Sequence, residues 1–106
     1  MPKYLLQASY TTEGTKGLAR EGGSRRRAHV EELLKKLGGK LEAFYYAFGD
    51  DDVVAIYDLP DAATAAAVSL AVNGSGAVRA KTTALVSPEE MDQASKKSVG
   101  YRPPGA

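Results

Sequence analysis

The sequence predicts a small α+β domain in which two strand–helix–strand units form one four-stranded antiparallel sheet. Three observations lead to this fold class. Strand and helix periodicities alternate twice along the chain, the turn-forming segment Gly49-Asp50-Asp51-Asp52 separates the two halves, and glycine follows each apolar helical stretch. Right-handed crossovers in such a chain place both main helices on the same face of the sheet.

The first half of the chain predicts one strand and two helical segments. Residues 4–10 alternate as a strand does, with every second side chain on one face. Because interior glycines weaken a helix, we expect a short helix or turn near residues 12–20, then a break, then the main helix. Gly38-Gly39 ends that helix. Its apolar residues recur at the i, i+3, i+4, i+7 spacing of an amphipathic helix: Val30, Leu33, Leu34 and Leu37.

The second half repeats the pattern. Residues 40–48 and 53–58 predict two strands joined as a hairpin by the aspartate-rich turn. Asp61 is suited to cap an alanine-rich helix that runs to about Val72, where Asn73-Gly74 stops it. Residues 77–86 predict the fourth strand, which completes a ferredoxin-like arrangement.

The C-terminal segment predicts one more short helix and a tail. Ser87-Pro88-Glu89-Glu90 combines a capping box with proline at the first helical position. Residues 99–106 contain two prolines and are expected to be flexible. We therefore expect a single ferredoxin-like domain over residues 1–98.

Composition restricts the functional classes. The 106 residues suffice for one core, and the absence of cysteine removes disulfides, Fe–S clusters and a cysteine nucleophile. A formal net charge of +1 does not indicate nucleic acid or an acidic membrane as a partner. The amino-terminal residues lack the long apolar run of a signal peptide, and no stretch predicts a membrane span. A cytoplasmic protein without a cofactor or metal is expected.

Strand alternation divides the sheet residues into two faces. The face expected under the helices is small and apolar: Leu6, Ala8, Leu41, Ala43, Val54, Ile56, Val78, Ala80 and Ala84. The opposite face mixes aromatic, apolar and charged groups: Leu5, Gln7, Ser9, Glu42, Phe44, Tyr46, Phe48, Val53, Ala55, Tyr57, Arg79, Lys81, Thr83 and Leu85. Such a face is unusual on a monomer, so we expect a second copy of the chain to cover it. A ligand cavity is the compatible alternative.

Arg79 and Lys81 are the most informative charged residues of that face. A strand points residues two apart in one direction, so both cations enter the predicted interface together. Buried cations need partners, which Glu42 or an anionic ligand could supply. Tyr46 and Tyr57 would line the same cavity.

His29 is the only histidine, and it lies beside the apolar stripe of the main helix. Histidine is suited to acid–base chemistry near neutral pH, whereas at the edge of a stripe it is also a common packing residue. We include it among the candidate ligand-binding residues and assign no catalytic residue.

Two charge runs have structural interpretations. Asp50, Asp51 and Asp52 lack the spacing of a calcium loop and suit a tight turn, in which Asp52 caps loop amides. Arg25-Arg26-Arg27 would lie unfavourably at a helix N-terminus if Ser24 began the helix. Either the helix begins earlier, or an acidic neighbour such as Glu21 offsets the three cations.

Four segments together resemble the GYD-domain family, and the similarity extends over nearly all of residues 3–97. The matching segments are Tyr10-Thr11-Thr12-Glu13-Gly14, Leu33-Leu34-Lys35-Lys36-Leu37-Gly38-Gly39-Lys40-Leu41, Gly49-Asp50-Asp51-Asp52 and Gly76-Ala77-Val78-Arg79-Ala80-Lys81-Thr82. The family's motif is Gly-x-Tyr-Asp, and here Asp51 stands at the tyrosine position. The resemblance implies a ferredoxin-like monomer that pairs sheet to sheet as a dimeric α/β barrel, but it supplies no reaction.

Three functional hypotheses follow. The first is a homodimeric or larger homo-oligomeric protein that binds or senses a small molecule at or near the sheet face. The second is a cofactor-independent monooxygenase or isomerase acting on a small aromatic or lactone-like substrate. The third is a purely structural assembly module. A fold of this kind hosts many activities, so the site must decide between them.

Overall fold

The computed structural model describes all 106 residues and confirms the predicted order of elements. The elements are β1 (Lys3–Tyr10), α1 (Thr12–Glu21), α2 (Gly23–Lys36), β2 (Lys40–Tyr46), β3 (Val53–Asp58), α3 (Ala62–Gly74), β4 (Val78–Leu85) and α4 (Pro88–Ser95). No helix is both long enough and apolar enough to cross a bilayer.

The four strands form one antiparallel sheet in the order β2-β3-β1-β4. The chain-order neighbours β2 and β3 form the hairpin, while helical segments connect β1 to β2 and β3 to β4. This is the predicted split βαβ, or ferredoxin-like, arrangement. The predicted α+β fold class is therefore confirmed.

The break between the first two helices occurs at Gly22, whose φ of 92° lies in the region that favours glycine. The second helix begins at Gly23, one residue before Ser24. Glu21 lies opposite the arginine cluster, and its Oε1 is 3.4 Å from Nε of Arg26. The structure thus has both predicted features, an earlier helix start and an acidic neighbour for the arginines.

A register shift in β2 changes which side chains face the helices. The β2–β3 pairing moves from Leu41 opposite Tyr57 to Ala43 opposite Ile56, which marks a bulge between Leu41 and Ala43. A bulge inserts one extra residue, so the inward-facing set changes parity beyond it. Leu41 and Phe44 are three positions apart, so unbroken alternation would place them on opposite faces. Because of the bulge, both pack against the core.

The predicted faces of β3 and of the later part of β2 were wrong. Ala55 and Tyr57 belong to the buried core, while Val54 and Ile56 lie on the opposite face of the strand. Both alternating sets of β3 are apolar, so hydrophobicity did not distinguish them. The core consists of residues from the sheet and from both main helices: Tyr4, Leu34, Leu41, Ala55, Tyr57, Leu59 and Ala65.

Asp52 joins the hairpin to the central strand, as its predicted capping role requires. Its carboxylate Oδ2 accepts a hydrogen bond from the Tyr10 amide at 2.8 Å. Its own amide donates to the carbonyl of Ala8 at 2.8 Å, and its carbonyl accepts from the Ala47 amide at 2.8 Å. Three atoms of one residue therefore connect β1 with both sides of the hairpin.

The third and fourth helices both begin at the predicted caps but differ in packing. Asp61 accepts from the Thr64 amide at 2.8 Å, and Ser87 and Glu90 form the reciprocal capping box. The third helix extends two residues past Val72 to Gly74, and the Asn73 side chain within it accepts from the Ala80 amide of β4 at 2.7 Å. Every residue from Pro88 onward is exposed, so α4 lies outside the core.

We predict opposite effects for two alanine substitutions in α1. A Cβ at Gly14 would overlap the carbonyl of Ala77, whereas a Cβ at Gly17 would meet only the end of the flexible Arg20 side chain at 4.0 Å. Gly14→Ala should lower the free energy of unfolding by about 1–3 kcal/mol through overpacking. Gly17→Ala should raise it by up to about 1 kcal/mol through helix propensity. Urea titrations of both variants measure this, and a stabilised Gly14→Ala protein would contradict the close packing of α1 on the backbone of Ala77.

A second prediction separates Asp52 from its neighbour Asp50, whose carboxylate makes no hydrogen bond or ion pair. Asp52→Ala should lower the free energy of unfolding by about 1.5–3 kcal/mol, because the Tyr10 amide loses a charged acceptor. Asp50→Ala should change it by less than about 0.5 kcal/mol. Equal losses in the two variants, measured by urea unfolding, would show that turn composition and not the Asp52 bond is what matters.

Candidate functional site

The two main helices leave a cavity between them on the covered face of the sheet, with a volume of about 400 Å³. Its floor is formed by strand residues, among them Leu6, Ala8, Val53, Ala55, Tyr57, Val78, Ala80 and Thr82. Its walls come from the two helices, chiefly Val30, Leu33 and Leu34 of α2 and Val68, Ala71 and Val72 of α3. Most of the lining is apolar.

Small side chains explain why this space is not filled. Ala8, Ala55 and Ala80 occupy adjacent strands, with Ala8 paired to Ala80 across β1 and β4. Protein interiors usually contain few voids larger than a water molecule. A concave apolar space of this size is instead typical of a ligand site.

Polar groups gather at one end of the cavity. Arg26 and His29, both on α2, line it together with Tyr10 from the end of β1. Glu21 serves both basic residues, with Oε1 at 3.4 Å from Nε of Arg26 and Oε2 at 3.4 Å from Nε2 of His29. Arg26 and Tyr10 also line a smaller cavity of about 260 Å³ beneath α1.

The two tyrosines near this end retain their protons at neutral pH. Burial is the main cause that raises the pKa of the Tyr10 phenol, with a further contribution from Tyr46. Burial likewise raises the pKa of Tyr46, whose hydroxyl donates to the Gly23 carbonyl at 2.9 Å. Glycine at position 23 permits this contact, because a Cβ there would lie 2.9 Å from the Tyr46 ring. The Tyr10 hydroxyl makes no hydrogen bond and remains available as a donor.

Two buried polar atoms of the cavity lining have no hydrogen-bond partner. They are Nε of Arg26, at the polar end, and Oγ1 of Thr82, on β4. Each has a polar neighbour at imperfect hydrogen-bond geometry, Glu21 beside Arg26 and the Tyr57 phenol beside Thr82. Burial raises the pKa of Tyr57, and its contact with the Thr82 hydroxyl opposes that effect. Buried polar atoms are normally well paired, so each of the two retains capacity to bind a ligand or water.

The six candidate ligand-binding residues do not form one cluster. Tyr57 and His29 line the helix–sheet cavity, and Tyr46 lies beside its polar end. Arg79, Lys81 and Glu42 belong to the other face, where Arg79 pairs with Ser9 and Lys81 with Gln7 in the β1–β4 ladder. The cavity predicted between Tyr46, Tyr57, Arg79 and Lys81 was therefore wrong as a grouping, because the bulge and the inverted face of β3 separate aromatic from basic residues.

Glu42 does not pair with either basic residue of β4. It lies 3.4 Å from Nζ of Lys3, which also donates to Asp58 at 2.9 Å. Glu42 is on β2 and Arg79 on β4, at opposite edges of the sheet. Arg79 and Lys81 form no ion pair within the chain.

The open face, by which we mean the sheet surface bearing Arg79 and Lys81, also carries apolar side chains. Leu5 pairs with Ile56 at its centre, and both are half-buried. Tyr45, on the same face of β2 beyond the bulge, leaves 71% of its surface exposed. Apolar and cationic groups thus share a surface that no helix of the chain covers.

Sequence reasoning missed the cavity residues Arg26 and Thr82. Arg26 was considered only as part of a basic run. It lies four residues before Val30, so it occupies the same stripe as the apolar residues of α2. This position in the stripe was the sequence signal that the Arg26 side chain faces the sheet.

Comparison with known proteins agrees with this architecture. A protein-family model described as the GYD domain matches residues 4–95. No curated protein and no solved structure gives a significant match. The match spans every element of the sheet and all the residues that line the cavity, and the chain belongs to the GYD-domain family.

Proposed function

We propose that this member of the GYD-domain family binds a small, largely apolar molecule in the cavity between the sheet and helices α2 and α3. The observation that carries the proposal is the cavity itself, about 400 Å³ in volume, with an apolar lining and a few polar groups at one end. That combination is characteristic of small-molecule sites, where apolar surface supplies affinity and polar groups set orientation.

The lining favours a flat, compact ligand. Leu6, Ala8 and Ala80 present a low apolar floor, and Tyr57 contributes an aromatic ring at one side. Burial of apolar surface contributes about 25 cal/mol per Å². An aromatic molecule of two fused rings would bury most of its surface here without requiring a charged partner.

The protein is further proposed to act as a homodimer that pairs through the open face. Leu5 and Ile56 lie at the centre of that face, and the unpaired cations Arg79 and Lys81 lie at its β4 edge. An apolar surface with uncompensated charge is better satisfied by a partner than by water. Two-fold pairing is the commonest closed assembly of identical chains.

Binding is tested with the neutral fluorophore N-phenyl-1-naphthylamine, whose emission increases in apolar sites. We expect saturable binding to the unchanged protein. Ala71→Trp, which places a large ring at the cavity wall, should weaken it at least tenfold. Ala66→Trp is the matched control, because Ala66 is exposed on the opposite side of α3 and does not line the cavity. Equal affinity in the two tryptophan variants would contradict binding in this cavity.

Dimerisation is tested by sedimentation equilibrium across a range of protein concentrations. Ile56→Lys, which places a cation at the apolar centre of the open face, should raise the dimer dissociation constant about tenfold or more. Lys16→Glu, on the distant helix α1, is the control and should have little effect. A monomer at all concentrations, or a dimer unaffected by Ile56→Lys, would overturn the proposed pairing.

A further inference from the structure

The polar end of the cavity contains more hydrogen-bond donors than acceptors. Nε of Arg26 is shielded from solvent and has no hydrogen-bond partner, although Glu21 lies near enough to form an ion pair. Tyr10 is half-buried, and its hydroxyl makes no hydrogen bond within the chain. A guanidinium carries five N–H donors, and in Arg26 only Nε lies against an acidic group, so the remaining donors have no acceptor within the chain.

The acceptors of this region are already used. The Gly23 carbonyl receives the Tyr46 hydroxyl at 2.9 Å. Glu21 directs one carboxylate oxygen toward Nε of Arg26 and the other toward Nε2 of His29, each at 3.4 Å. The other N–H groups of Arg26 and the Tyr10 hydroxyl line the cavity without a hydrogen bond to a protein oxygen.

From this imbalance we infer that the ligand is an aromatic molecule carrying an oxygen acceptor, a carbonyl or a carboxylate, which receives hydrogen bonds from Arg26 and Tyr10. This inference rests on the proposed function and assigns an orientation within that site. Arg26 and Tyr10 are then specificity-determining residues. The raised pKa of Tyr10, caused mainly by burial, keeps its phenol protonated and able to donate.

Thr82 provides an internal comparison. It is the other cavity-lining residue with an unpaired buried polar atom, and it lies four residues from Val78 along β4. That spacing corresponds to about 13–14 Å along a strand. Val78 pairs with Tyr10 and lines both cavities beside Arg26, so Thr82 lies well away from the polar end. A ligand held by Arg26 has its acceptor far from Thr82.

Three naphthalene derivatives of nearly equal shape test the inference. They are 2-acetylnaphthalene with a neutral carbonyl, 2-naphthoate with a carboxylate, and 2-ethylnaphthalene with no acceptor. We expect at least one of the oxygen-bearing compounds to bind about tenfold more tightly than 2-ethylnaphthalene, as one charge-assisted hydrogen bond provides. Which of the two binds more tightly distinguishes a carbonyl ligand from an acid.

Variants then locate the acceptor. Arg26→Met should abolish the preference for oxygen-bearing compounds, and saturable binding of 2-ethylnaphthalene to the same variant shows that the cavity remains folded. Arg27→Met removes the same charge from an exposed residue outside the lining and should retain the preference. Thr82→Val should retain it as well.

Each result bears on a distinct statement. Equal binding of all three compounds would agree with an apolar binding site but would overturn the inference that the ligand carries an oxygen acceptor. A preference lost in Thr82→Val but kept in Arg26→Met would overturn the assignment of the acceptor to the arginine end. If none of the three compounds binds, the cavity is not an aromatic site, and the proposed function fails together with this inference.

Discussion

The pairing register between β1 and β3 is the constraint on which the rest of the structure depends. Side chains alternate along a strand, so a slip of one residue would move every core residue of β3 to the open face. Asp52 fixes that register through two bonds, from its amide to the Ala8 carbonyl and from the Tyr10 amide to its carboxylate, while its carbonyl closes the hairpin by accepting from the Ala47 amide. The aspartate of the family motif therefore has a structural role, and it requires no tyrosine at position 51.

That register gives the sheet two chemically distinct surfaces. The covered face receives Val53, Ala55 and Tyr57, and the β2 bulge adds Phe44 to the same side. The open face keeps Ile56 together with the cations of β4. A ligand site and a pairing surface can then occupy opposite sides of one sheet without competing for residues.

Local chemistry was sufficient to predict the elements of this fold. Asp61 and the Ser87–Glu90 capping box begin their helices as expected, and Gly22 separates α1 from α2. The end of α3 was less accurate, since Asn73 binds a strand through its side chain rather than stopping the helix.

The candidate site was less predictable for two physical reasons. Alternation shows which residues of a strand share a face. It does not show which of the two faces points inward when both are apolar, as in β3. A bulge such as that between Leu41 and Ala43 leaves no alternation pattern of its own. The cavity also depends on the distance between α2 and α3, which no local pattern encodes, and so His29 was recognised as a site residue while Arg26 was not.

The most direct test of this account is to observe which methyl groups a bound aromatic ligand contacts. In a methyl-labelled, otherwise deuterated protein, 2-acetylnaphthalene should give intermolecular nuclear Overhauser effects to the methyls of Ala8, Ala55 and Ala80. Effects confined to Leu5, Val54 and Ile56 would place the ligand on the open face. That result would contradict the separation of binding and pairing surfaces on which this account rests.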